Sequence, residues 1–96
     1  MTRLVFAPRA LEDNARLPEF LLETDASTAA ATAGILIDGL AILKQHPLIG
    51  RSVESGLREL VISRGRSGYL ALYRYDVAAD TAVILAIRHQ REGGYE

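Results

Sequence analysis

Cysteine is absent from this 96-residue sequence. No disulfide framework can therefore hold the fold, and no thiolate can serve as nucleophile or metal ligand. The two histidines, His46 and His89, lie far apart without metal-ligand company, so no zinc site is expected. No apolar run reaches the roughly 20 residues of a membrane-spanning helix. The opening string "MTRLVFAPRALED" has neither a signal-peptide apolar region nor a small-residue cleavage site. These absences point to a cytoplasmic chain with no membrane partner, no metal and no cofactor. Lysine is scarce too: every basic residue except Lys44 is arginine.

What is present fits one soluble domain spanning residues 1–96, with 49% hydrophobic and 24% charged residues. A formal net charge of −1 is a poor electrostatic footprint for a general nucleic-acid binder. The arginines are nevertheless concentrated. Between Arg51 and Arg74 there are five, against only Glu54 and Glu59. Each guanidinium is a planar fork suited to carboxylates and phosphates, although solvated surface pairs would use the same residues.

Periodicity orders the chain. "RLVFA" at 3–7 reads as a first strand. Pro8 ends it and suits the first turn of a helix, in which Leu11, Ala15 and Leu22 share a face that Leu21 adjoins. Glu12 and Asp13 sit where the helix dipole favours negative charge. Pro18 should kink or break this helix. A second helix runs from Asp25 or Ser27 towards Pro47, with Ala30, Ala33, Ile37, Leu40 and Leu43 or Lys44 on its apolar stripe. The short "TDAST" between the two helices implies an antiparallel hairpin. After a loop, "LIGRSVESG", three strands are expected at 57–63, 69–75 and 82–89. The expected fold is α+β, in the order β-α-α-β-β-β. A helical hairpin packs on one face of a small antiparallel sheet, and the first strand joins an edge.

Two strands carry further information. The last is apolar on both alternating faces, Val83, Leu85 and Ile87 against Ala82, Ile84 and Ala86, as in a central strand. On the middle strand, Leu70 and Leu72 share a face with Arg74, while Tyr69, Ala71, Tyr73 and Tyr75 share the other. Such a tyrosine face could stack on a base or dock a partner, or it could simply be strand packing.

The ordered series "HPLIGR", "LREL", "GYLALYRY" and "ILAIRHQREGGY" resembles the RelE/ParE superfamily of toxins from bacterial type II toxin–antitoxin systems. Its closing string is most similar to the ParE, or plasmid stabilisation, branch. The resemblance covers essentially the whole chain. It implies a cytoplasmic growth inhibitor neutralised by a cognate antitoxin, with which it would form a hetero-oligomer. It also implies one of two targets. ParE-like toxins poison DNA gyrase and are not known as nucleases, whereas RelE-like toxins cleave mRNA on the ribosome.

For a RelE-like, metal-independent endoribonuclease, the available pool is Arg58, Arg74, His89, Arg91 and Tyr95. Cleavage needs a proton acceptor, cations on the developing phosphorane and an acid for the leaving oxygen. His89 is the one nearby group that ordinarily titrates close to neutrality. Against this reading, Leu70 follows the Gly-Tyr of the middle strand, where RelE-like nucleases commonly place an arginine. The low net charge also supplies little attraction to a phosphate-covered ribosome. The ParE-like, non-enzymatic reading is therefore preferred.

Target binding is expected at Arg66, Arg88, His89, Arg91 and Tyr95. Antitoxin binding is expected at Leu11, Phe20, Leu21, Leu22, Arg58 and Arg74, by apolar docking and pairing with an acidic segment. Arg88 and His89 should face opposite sides of the last strand. A reading from another class is a degenerate, non-toxic module that retains only antitoxin binding, for which Asn14, Pro18 and Leu70 are the suggestive departures.

Overall fold

The structure, a computed structural model, describes residues 1–13, 34, 36–64 and 67–89, with backbone alone at 63, 64 and 67. Pro18, the "TDAST" connection and the first half of the second helix lie outside the described residues.

The apolar β-formers at the start make strand β1, Arg3–Phe6. Residues 8–13 are helical (α1), as are 34 and 36–41 (α2), and α2 tightens into a 3-10 turn at Ile42–Lys44 before Pro47. Strands β2 (Arg51–Ser52), β3 (Arg58–Arg64), β4 (Ser67–Asp76) and β5 (Thr81–His89) complete a five-stranded sheet in the order β1-β5-β4-β3-β2. β5 is thus central, as its two apolar faces imply, and β1 is an edge. The architecture is the expected α+β arrangement, with two differences. The sheet is mixed, because β1 runs parallel to β5. The loop "LIGRSVESG" also contributes a short extra strand, β2, antiparallel to β3.

The core lies on one face of the sheet. Leu36, Leu40 and Leu43 of the second helical segment and Ala10 of α1 pack against Leu60, Ile62, Tyr69, Ala71, Tyr73, Ala82, Ile84 and Ile87. The buried helical stripe keeps the expected Leu40 and Leu43 and differs at one position. Leu36 takes the inward position, and Ile37 is 56% exposed. Close helix–sheet approach explains the small residue beside it, since a Cβ on Gly39 would stand 2.7 Å from the Ile62 side chain.

One irregularity re-aims the end of β5. Tyr73 faces Ile84 but Leu72 faces Ala86, so Leu85 is an extra residue in β5, a β-bulge. Simple alternation would put Ile84 and Ile87 on opposite faces; the bulge brings both into the core. The expected grouping of Val83, Leu85 and Ile87 is corrected accordingly. Alternation between neighbours survives beyond the bulge, so Arg88 and His89 do face opposite sides, opposite Leu70 and Tyr69 respectively.

Candidate functional site

Three described regions carry the expected functional residues. The first is the end of β5. His89 points to the helix-bearing face, where its ring meets Tyr69 edge-on at a centroid distance of 5.2 Å. Arg88 and Leu70 share the other face. Leu70 leaves no cation at the position after Gly68-Tyr69. On the β1 side, β5 runs past the end of its neighbour. The last pairing is Phe6 with Ile84, and the Ala7 N–H donates to Ile84 O at 2.8 Å. Farther along, the buried Ile87 N–H donates to Oδ2 of Asp13 on α1 at 2.9 Å. Arg9 Nε stands 3.7 Å from the same oxygen, one helical turn away. Without an acceptor, that N–H would cost about 1–3 kcal/mol. Sequence reading placed Asp13 at the helix start for its charge and missed this bond. Its one sequence-level signal is an acid on the helix that directly follows an edge strand.

The second region is the loop before β2, held by two side chains. Tyr73 is fully buried, and its O–H donates to Pro47 O at 2.8 Å while its oxygen accepts the Gly50 N–H at 2.9 Å. Burial raises the Tyr73 pKa, against the lowering effects of the Gly50 N–H and the nearby Arg58 charge. Arg58 Nη1 donates to Leu48 O at 3.2 Å and Gly50 O at 2.8 Å. Thus "HPLIG" is fixed by carbonyl and amide contacts to the sheet. With Tyr69 and Tyr73 inside the core, the tyrosine face of β4 is packing, not an open stacking platform. At the adjacent edge Arg51 meets Glu59 at 2.6 Å, joining β2 to β3 on the opposite face.

The third region is the start of α1, where Leu11 is 56% exposed. Arg74 is exposed too, on the face away from the helices, opposite Val83. Phe20, Leu21, Leu22, Arg66, Arg91 and Tyr95 lie outside the described residues.

The nuclease pool can be judged on its three described members. Arg74 is on one face of the sheet, and Arg58 and His89 are on the other. Arg58 faces Tyr73 and His89 faces Tyr69, two strands apart. Strand geometry separates their backbones by about 16 Å. The structure does not bring these three together around one phosphate. Among the described residues there is also no group of three His, Asp or Glu side chains that could hold a metal ion. No described helix is long and apolar enough to cross a membrane.

This sheet-and-helix arrangement is the RelE/ParE toxin fold. The chain is similar to one in the chromosomal ParDE TA system from P. aeruginosa, with a TM-score of 0.78 at 20% identity over 93% of this chain and 96% of that one. Similarity to a chain of the intact E. coli RelBE toxin–antitoxin complex gives a TM-score of 0.65 at 17% identity, covering 96% of this chain and 100% of that one. In sequence it is 35% identical over 92 residues to Toxin RelE3 of Caulobacter vibrioides, which covers 96% of this chain and 98% of the relative. The family described as the ParE toxin of type II toxin-antitoxin system, parDE, matches residues 4–93. The chain therefore belongs to the ParE toxin family of type II toxin–antitoxin systems.

Proposed function

We propose that this toxin is held inactive by a cognate antitoxin and, when released, arrests growth by acting on DNA gyrase. The observation that carries the gyrase reading is the scattering of Arg58, Arg74 and His89 over two faces of the sheet. A ribonuclease needs its base, its acid and its phosphate-binding cations around one bond. Leu70 in place of a cation and a net charge of −1 support the same choice. Arg88 and His89, on opposite faces at the end of β5, together with Arg66, Arg91 and Tyr95, are the proposed target contacts. Leu11, Phe20, Leu21 and Leu22 with Arg58 and Arg74 are the proposed antitoxin contacts; because Arg58 and Arg74 lie on opposite faces of the sheet, they call for an extended partner that reaches both faces and combines apolar and acidic residues.

A second reading, a RelE-like endoribonuclease acting on mRNA at the ribosome, is favoured by one observation: the 35% identical relative is named Toxin RelE3. Two measurements separate them. Induced expression should stop growth, and co-expression of the antitoxin should restore it. Purified protein should then block supercoiling of relaxed plasmid by gyrase and leave translated mRNA uncut in primer extension. Unchanged supercoiling with cuts at the ribosomal A site would transfer the function to the second reading. Normal growth on induction would reject both and favour a degenerate antitoxin-binding module.

A further inference from the structure

Asp13 is 6% exposed on a helix that faces the end of β5. Its carboxylate takes the Ile87 N–H, the backbone donor immediately before Arg88. The need for it follows from topology. β1 covers β5 only as far as Ile84, and the bulge at Leu85 then turns the strand. Beyond that point β4 still pairs with β5 on one side, up to Tyr69 with His89. On the other side, a helix-borne carboxylate occupies the place of a neighbouring strand.

From this geometry we infer that Asp13 is a positioning residue. By holding Ile87, it fixes the alignment in which β5 presents Arg88 to the toxin's target. The inference rests on the toxin reading above, and it concerns a buried residue assigned to neither the proposed target contacts nor the proposed antitoxin contacts. Arg9 supports the carboxylate from one turn earlier on α1.

The test compares Asp13→Ala and Asp13→Asn with the wild type, well below their melting temperatures. Asn keeps an oxygen acceptor for Ile87, and Ala does not. In Asp13→Ala, amide exchange at Ile87 should accelerate by about tenfold or more, the factor expected for losing one hydrogen bond. The concentration needed to inhibit the target should rise by a similar factor, while affinity for the antitoxin changes little. Asp13→Asn should recover most of both losses. Leu43→Ala, a core variant destabilised by cavity formation, serves as the control for stability alone. Equal loss of potency in Leu43→Ala and Asp13→Ala at matched stability would overturn the inference, as would full potency in Asp13→Ala. A wild type without effect on growth would remove the toxin reading and this inference with it. A toxic wild type with an equally toxic Asp13→Ala would remove this inference alone.

Discussion

A Cβ on Gly50 would lie 2.6 Å from both Cε1 and the hydroxyl oxygen of Tyr73, and 3.0 Å from Glu59 O. The ring cannot retreat, because Tyr73 is buried and its hydroxyl is fixed at Pro47. Gly50→Ala should therefore destabilise the fold by about 1–3 kcal/mol, the usual range for overpacking a close-packed site. Denaturant unfolding would read this directly, and an unchanged midpoint would show that the loop can move aside. Leu11 is the contrasting residue. Its exposure means that Leu11→Ala should change stability by no more than about 0.5 kcal/mol. If it anchors the antitoxin, the same change should weaken the complex by about thirtyfold, the roughly 2 kcal/mol threshold of an interface hot spot. Titration calorimetry with the antitoxin separates the two effects. At this scale the sequence was only partly legible. "HPLIGR" stood out by resemblance, but nothing in its spacing says that Tyr73 and Arg58 clamp it. The same tyrosines could equally have faced a ligand, and only the packed helices decide.

Among the elements, the β4–β5 connection is tied to the start of β1. Asp80, at φ 47° in this turn, accepts hydrogen bonds from Thr2 Oγ1 and the Tyr75 hydroxyl on the same oxygen, both at 2.7 Å. Its backbone oxygen takes the Arg3 N–H at 2.9 Å, which sets β1 alongside β5. The Thr2 bond, then the Tyr75 bond, lowers the Asp80 pKa. Donating to Asp80 raises that of Tyr75. A lowered carboxyl pKa stabilises the fold above its unfolded value, about 3.9, and that contribution disappears as pH falls through the lower folded value. A raised phenol pKa acts oppositely: its contribution is whole below about 10 and is lost as pH rises through the higher folded value. Asp80→Asn keeps a residue that tolerates positive φ but removes the charge. The variant should be less stable than wild type at neutral pH, and the gap should close in strong acid. Thermal melts over a pH series check this, and a gap independent of pH would mean that the carboxylate charge does not matter. The strands themselves were readable, because alternation and Gly- or Asp-rich connectors mark them. The bulge was not, since Leu85 is as good a strand residue as its neighbours. β2 was hidden because two exposed residues carry no period. The parallel sense of β1 depends on its long-range pairing with β5, which no local pattern encodes.

For the molecule as a whole, the distribution of charge separates the possible targets. The sheet turns one face to the helices and puts Arg74 and Arg88 on the other, within a chain of net charge −1. A toxin that held six to ten phosphates would lose roughly 10³–10⁵ in affinity between about 50 and 200 mM salt. This chain has too little surplus positive charge to draw in a polyanion over long range, and Arg51 is already engaged by Glu59. Its inhibition of the target should instead rest on local contacts of the β5 end, screened only modestly over a Debye length of about 8–10 Å. Raising salt across that range should therefore shift the half-inhibitory concentration by no more than about tenfold. A shift of a thousandfold would mean that phosphate contacts dominate. It would favour an RNA target despite the separation of Arg58, Arg74 and His89, because residues beyond the described strands would then have to supply the missing cations.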